Sequence, residues 1–500
     1  MPSLLSASFW SFVLNWGQQG IAAIVTFLLA AVLGPEKYGL AIIAISFVLL
    51  LQSVLDQGLL VALIQRQDLD DDNLNSVFWA LIAFAVLSTG LILHGANLWA
   101  DWNQSVELTS LVWALSPIVT LKCLYLVPHA LLRRELNFKR LAMINNLALI
   151  FAGFVAILSL ANGLGIWSLI LYYLTLEFAN AIFYWTMTRY RPAFFFSSSK
   201  LMVLLPVASG GFAAGLGSFA RSRGDIFVLG VLLGPAAVGL FRLALRIQEL
   251  LLTLFTRPIS MVALPAIARS AQDPTQRRKS ASDFLLLSTG LTIPVMAFVA
   301  GISPYILGLL GQNWQVAAPS LSILCVLGAL NSALFLVPQY LNALGKTWLS
   351  AIWFWLTSVT TLVLMVPFIQ VFAGQLEATS DQLSALAFYL LVINLIVSLP
   401  SGSILLRQTF KLPSLFLCSG LLRPCASGIL VYAIVKISDE FLTSRVILHD
   451  EYNSLLSLIA LITIGGLATL ASIYLLNRNF YDEVAPRLFS IARSALQRIV

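Results

Sequence analysis

The amino-acid sequence predicts an all-α integral membrane protein of about fourteen transmembrane helices. Three observations carry that expectation. Charged residues are 10% and hydrophobic ones 59% of the 500 residues, against roughly 25% charged in a soluble protein. The mean hydropathy is +0.91. The apolar runs reach the ~20 residues a helix needs to cross a bilayer, and they lack the period-2 alternation of a closed barrel.

Six such runs fall at about 9–33, 38–65, 78–98, 111–132, 141–161 and 164–187, and six more at about 204–233, 238–268, 284–306, 318–341, 348–373 and 383–406. Two last runs follow at about 415–436 and 453–476. The first pair is divided by Leu33-Gly34-Pro35 and the seventh from the eighth by Leu233-Gly234-Pro235. Glycine tolerates a left-handed cap and proline cannot continue a helix, so both phrases predict tight turns. Even the longest loops, 65–77, 188–203, 269–283 and 437–452, hold only about 13–16 residues. Function is therefore expected between the helices, with no sizeable extra-membrane domain.

Lys and Arg set the orientation. With the N-terminus cytoplasmic, 19 of the 29 fall in inside segments, while only Lys37, Lys436 and Arg445 fall outside. Both termini are expected in the cytoplasm, with an even number of crossings. The same bias accounts for most of the net charge of +7, so no nucleic-acid partner is implied. No removable signal peptide is evident, because residues 1–8 lack Lys and Arg. The four cysteines (Cys123, Cys325, Cys418, Cys425) sit in apolar segments and read as buried, reduced thiols. The three histidines are scattered, so neither a metal nor a cofactor is called for. Trp99, Trp102, Trp314 and Trp348 lie near span ends and read as interfacial anchors.

The LGP phrase is part of a longer echo. LGPEKYGL at 33–40 returns as LGPAAVGL at 233–240, Leu126-Val127-Pro128 returns as Leu336-Val337-Pro338, and Val61-Ala62-Leu63 as Val262-Ala263-Leu264. The order is kept and each unit holds six runs, which predicts two parallel six-helix repeats followed by two C-terminal helices. The expected division is an N-terminal lobe over 1–190, a C-terminal lobe over 200–410, and two extra helices with a cytoplasmic tail over 411–500.

The stretches FLLAAVLGPEKYGL, DQGLLVALIQR, NSVFW and ALLRRELNFKRLAMIN, with DIFVLGVLLGPAAVGLFRLALR further on, resemble the polysaccharide transporter branch of the multidrug/oligosaccharidyl-lipid/polysaccharide exporter superfamily. The resemblance covers about 9–345. It implies a bacterial inner-membrane flippase for polyprenyl-pyrophosphate-linked oligosaccharide repeat units, with polysaccharide polymerase or export machinery as a further partner.

Intramembrane charges are costly, about 2.5–3.5 kcal/mol each on insertion scales, and tend to face a cavity. The seventh run holds Arg221, Arg223 and Asp225, and the eighth holds Arg242, Arg246, Glu249 and Arg257. Arg221 and Asp225 are i,i+4, as are Arg242 and Arg246, while Arg246 and Glu249 are i,i+3, so each set shares a helix face. Asp225 and Arg246 lie at similar depth and are candidates to pair. At an offset of 200 the first repeat has Ile21, Ala23, Val25, Ile42, Ser46 and Leu49 in place of Arg221, Arg223, Asp225, Arg242, Arg246 and Glu249. These charges are additions to a common frame.

Two readings follow. In one, Arg221, Arg223, Arg242 and Arg246 line a cationic cavity for acidic sugars or for pyrophosphate, which guanidinium forks hold well. In the other, they form structural pairs with Asp225 and Glu249 or snorkel to an interface. Asp56, Lys122 and Glu177 lie at span depth in the first half, where carboxylates serve either a coupling ion or interhelical hydrogen bonds. The glycines of SGGFAAGLGS (209–218) permit a bend or close packing. Alternatives within the superfamily are a peptidoglycan-precursor flippase and a drug/cation antiporter, the latter disfavoured by the cationic surplus. A membrane glycosyltransferase or polymerase is the alternative of another class, but its loops would need a catalytic pair better than Asp101 with Glu107 or Glu377 with Asp381.

Overall fold

A computed structural model describes residues 4–476 apart from 67–68, 136, 270–273, 344–345, 411–415 and 446–450. Among the described residues every regular element is helical. The chain forms two compact units, Met1–Gly239 and Leu240–Val500.

The first unit opens with α1 (Leu4–Gln57), α2 (Leu59–Gln65) and α3 (Asp71–Trp102). It continues with α4 (Glu107–Leu115), α5 (Pro117–Arg134), α6 (Phe138–Ala161), α7 (Trp167–Met187), α8 (Ser198–Met202) and the start of α9 (Leu205–Arg269). At 1.5 Å per residue the 54 residues of α1 would extend ~80 Å, far beyond the ~30 Å hydrocarbon core. The helix is in fact two helices joined at Gly34, where φ is 75° and ψ 169°. In α9 the backbone leaves the helix in the same way at Gly234, with φ 81° and ψ 178°.

The two turns also meet. A Cβ on Gly39 would overlap the carbonyl oxygen of Pro235, and one on Gly239 would overlap that of Pro35. The second glycine of each phrase is thus a point of close backbone approach, which only a residue without a side chain permits.

Within this unit α6 packs on α1 and α7, and α5 packs on α3 and α7. A core of Tyr125, Leu132, Leu141, Ile144, Ala181 and Tyr184 joins α5, α6 and α7. Asp70 caps α3 by accepting the Asn73 N–H at 2.8 Å. The segment between α7 and α9 is strapped to the start of α3. Trp79 Nε1 donates to the Ala193 carbonyl at 2.9 Å, and Asn75 Oδ1 accepts from Tyr190 Oη at 3.1 Å and the Ala193 N–H at 3.0 Å. The Ser197 N–H donates to Ser76 Oγ at 3.0 Å, and Lys200 pairs with Asp70.

The second unit holds the rest of α9, then α10 (Pro274–Gly301), α11 (Ser303–Gly308), α12 (Gln312–Gln315), α13 (Ala318–Leu334) and α14 (Leu336–Ala343). After α15 (Thr347–Val371) come α16 (Thr379–Ile393), a π-helical turn at Asn394–Ser398, α17 (Leu399–Phe410), α18 (Phe416–Arg445) and α19 (Glu451–Leu476). The last two helices pack on α10, which also packs on α13. Ile302, Val431, Val435 and Leu461 close that junction.

Eleven helices among the described residues are long and apolar enough to cross a membrane. The difference from fourteen has a physical origin. Each of the two glycine-joined helices covers two expected spans, and the Tyr, Trp, Asn and Glu residues of α7 lower its hydropathy below the other eleven. Two expectations for single residues change. Trp99 and Trp314 are buried (4% and 1% exposed), unlike Trp102 and Trp348. Trp99 shares a helix face with Ile92 and Ala96, both fully buried, and stacks on Phe47 at 5.6 Å, so it packs inside the protein instead of anchoring at an interface. Cys123 and Cys325 are buried but Cys425 is exposed; the side chain of Cys418 and the tail arginines at 478, 487, 493 and 498 lie outside the described residues.

Candidate functional site

In the first unit Asp56, Lys122 and Glu177 join in one network. Gln52 and Asp56 are i,i+4 on the second segment of α1, Lys122 and Tyr125 are i,i+3 on α5, and Glu177 and Tyr184 are i,i+7 on α7, so each pair presents one face. Lys122 Nζ lies 3.1 Å from Asp56 Oδ1 and 5.3 Å from the centre of the Tyr125 ring. Tyr125 Oη donates to Glu177 Oε2 at 2.6 Å, and Gln52 Nε2 donates to Glu177 Oε1 at 3.2 Å. Tyr125 stacks on Tyr184 with centroids 4.9 Å apart, and Asn145 Nδ2 donates to Tyr184 Oη at 3.0 Å. Glu177 is buried, with one donor at each oxygen and Lys122 within electrostatic reach. That is the arrangement a buried carboxylate needs, since an uncompensated charge in low dielectric costs several kcal/mol. His129 Nδ1 and Asn180 Oδ1 are buried beside this network and take no hydrogen bond from the described residues.

Asp56 reaches from the network into a cavity of about 250 Å³. Gln52, Ser53 and Asp56 form one wall, and Ser218, Ser222 and Arg223 of α9 form the other. The opposing walls therefore carry a carboxylate and a guanidinium. Gly215 and Ser218 also line the cavity, and α9 runs through 209–218 without a break.

Arg221 lies on the exposed side of α9, and Asp225 is half-buried one turn further on. In the second unit Arg242 is 7% exposed, and its guanidinium is 3.7 Å from Glu249 Oε1. Sequence spacing placed Arg246, which is half-buried, on one face with Glu249 and made Asp225 its candidate partner. The i,i+7 relation puts Arg242 and Glu249 two turns apart on the same face, and both side chains are long enough to meet. The structure also brings in Gln52, Tyr125, His129, Asn145 and Tyr184, which charge alone did not single out. The signal was present in α5, where Lys122, Tyr125 and His129 recur at i, i+3 and i+7 on one face.

The family model described as polysaccharide biosynthesis protein matches residues 28–319, more than half of the chain. The chain belongs to that family. It is the family that the LGPEKYGL and ALLRRELNFKRLAMIN stretches resemble. The succinoglycan biosynthesis transport protein ExoT of Rhizobium meliloti is 25% identical over 98% of this chain and 95% of its own length. The lipopolysaccharide biosynthesis protein WzxC of Escherichia coli is 23% identical over 66% of this chain and 67% of its own. Among solved structures, the lipid II flippase MurJ matches 95% of this chain and 99% of its own with a TM-score of 0.75 at 16% identity. A multidrug resistance MATE transporter of the MOP superfamily matches 79% and 95% with a TM-score of 0.63 at 16% identity. The fold of this family member is therefore shared with MurJ and with the MATE transporter, and of the two relatives above, ExoT is the one named as a transport protein.

Proposed function

We propose that the protein is a transporter, not an enzyme, that carries polyprenyl-pyrophosphate-linked oligosaccharide repeat units across the bacterial inner membrane by alternating access. The observation that carries this reading is the intramembrane cavity walled by Asp56 and Arg223 in a member of a polysaccharide biosynthesis family. The lipid tail of such a cargo stays in hydrocarbon at little cost, whereas its polar head sets the barrier and must travel through polar surroundings. Arg221, Arg223, Arg242 and Arg246 are the groups proposed to receive the pyrophosphate, Arg242 doing so through or against its pairing with Glu249. Asp56 and Glu177 are the proposed coupling-ion carboxylates, with Asp225 and Glu249 in supporting pairs.

Fourteen crossings in two parallel six-helix repeats, lobes at 1–190 and 200–410, and cytoplasmic termini belong to the same proposal. The reciprocal fit of Gly39 and Gly239 and the matching backbone at Gly34 and Gly234 support it. Deletion followed by analysis of lipid-linked intermediates is the test. Complete repeat units are expected to accumulate on the cytoplasmic face. Accumulation of incomplete glycans would favour an enzyme, and accumulation of peptidoglycan precursor would assign the cargo of the alternative flippase. In the complemented deletion strain, Arg221→Gln and Arg246→Gln are each expected to stop translocation while the protein inserts at normal levels. Undiminished transport by both would overturn the arginine assignment.

A further inference from the structure

A second cavity lies on the first unit, well away in sequence from the Asp56 and Arg223 walls. It has a volume of about 570 Å³ and sits where α6 begins and α7 ends. Lys139, Arg140 and Arg189 line it together with Asn137, Thr186 and Met143. Among the described residues lining it, none is acidic. The local fold sets these cations in place. Asn137 caps α6 by accepting the Arg140 N–H at 3.3 Å, and the Arg140 guanidinium donates to the Met187 carbonyl at 3.4 Å, which ties the start of one helix to the end of the other. A guanidinium has five N–H donors, so that single bond leaves Arg140 donors for a ligand.

The surface next to the cavity is apolar and exposed. Along α6, Met143, Leu147, Ile150 and Phe154 continue the line that Arg140 starts, each 40–63% exposed, while Leu141, Ile144, Ala148 and Ala152 face inward. On α7, which packs on α6, Phe178 and Ile182 are also exposed. From Arg140 to Phe154 the stripe runs roughly 20 Å along the helix, enough for one leaflet of a ~30 Å hydrocarbon core. A cluster of three cations at one end of a lipid-length apolar stripe matches one ligand chemistry: a phosphate head group carrying acyl chains. Basic pockets between transmembrane helices on the cytoplasmic side hold anionic lipid head groups by this arrangement.

We infer that this cleft binds an anionic phospholipid of the surrounding bilayer, with its phosphate held by Lys139, Arg140 and Arg189 and its acyl chains lying along the exposed faces of α6 and α7. The leaflet is the cytoplasmic one, which rests on the orientation proposed above; the binding site itself does not. The test uses the full chain purified in detergent, titrated with phosphatidylglycerol, phosphatidylcholine, inorganic phosphate and polyprenyl pyrophosphate, and read by native mass spectrometry and thermal unfolding. Phosphatidylglycerol is expected to bind and raise the unfolding temperature, with phosphatidylcholine and inorganic phosphate failing to do so. The triple variant Lys139→Gln, Arg140→Gln, Arg189→Gln should lose roughly a hundredfold in affinity for phosphatidylglycerol, and Lys37→Gln, at an exposed position outside both sites, should lose none. The single variant Arg189→Gln, whose side chain is exposed, covers the case in which the triple variant does not fold and should still lose several-fold. Equal binding of the two phospholipids, or wild-type binding by the triple and single variants, overturns the inference. So does displacement of phosphatidylglycerol by polyprenyl pyrophosphate at equal concentration, which would make the cleft a loading site for cargo. None of these readouts depends on transport.

Discussion

Glu177 concentrates the chemistry of the first unit in one carboxylate. Its two oxygens take one donor each, from Tyr125 and Gln52, in a site with little access to solvent. A hydrogen bond to a buried charge contributes about 1.5–3 kcal/mol, and removing the donor leaves the acceptor unsatisfied. Tyr125→Phe keeps the stack on Tyr184 but removes that donor, and is expected to lower the unfolding temperature of the purified protein measurably. Glu177→Gln separates the two roles a buried carboxylate can have here. A coupling role predicts that transport in vesicles loses its response to an imposed ion or proton gradient while the protein stays folded. A structural role predicts an intact gradient response with lower stability. For the pair Lys122 and Asp56, a double-mutant cycle with Lys122→Met and Asp56→Asn should give a non-zero coupling energy, since the charges lie in contact. The charged members of this network were legible in the sequence because charges are rare in apolar runs. Gln52, Tyr125 and Asn145 were not, because polar uncharged residues are common in such runs and only the facing helix shows which ones are used.

At the scale of elements, two devices hold the first unit in register. One is the glycine pair within each LGP phrase. Gly34 has a positive φ that costs an L-residue energy, so Gly34→Ala should destabilise by about 1 kcal/mol or more. Gly39→Ala and Gly239→Ala act differently, by pushing a side chain into the opposing carbonyl. Both should reduce the yield of folded protein in membranes, whereas Gly20→Ala and Gly90→Ala, where a Cβ meets open space, should not. The other device is the strap over residues 188–204. Its Asp70 carboxyl is held below the ordinary value of 3.8, first by the hydrogen bond from Lys200 and then by the Asn73 N–H, at an exposed position. A depressed carboxylate contributes stability that is present above 3.8 and is lost as pH falls through the lowered value. Hydrogen exchange at 193–201, corrected for its intrinsic pH dependence, should therefore accelerate below pH 3.8, and Lys200→Met should bring part of that acceleration to neutral pH. The turns were legible from Gly-Pro. Their meeting was not, because nothing along the chain says which backbone a glycine must admit.

At the scale of the whole molecule, topology is the property most open to measurement. Single cysteines placed in a cysteine-free variant at 104 and 164 are expected to react with an impermeant thiol reagent from outside the cell. Those at 139 and 199 should react only after the membrane is opened. Reaction of all four from one side would overturn the assignment of fourteen crossings with inside termini. The two compact units, Met1–Gly239 and Leu240–Val500, divide the chain at the end of the second LGP phrase, and the segment of α9 that follows the break at Gly234 runs through that boundary. Hydropathy marks where a chain enters and leaves a bilayer, but it does not report how helices cluster, which depends on side-chain fit.

The sequence by itself determined that this protein is a bundle of membrane-length helices, where its sharp turns fall, which charges are exceptional, and to which family it belongs. Each of these follows from composition or from residues adjacent along the chain. Only the tertiary structure decided that Asp56 meets Lys122, that Glu177 is held by Tyr125 and Gln52, that Arg242 turns to Glu249, and that Lys139, Arg140 and Arg189 share a cleft. A helix offers several faces, and local sequence states what each face carries. Which face meets which neighbour is settled by packing among helices distant in the chain, and the network of Asp56, Lys122 and Glu177 exists only at such a meeting.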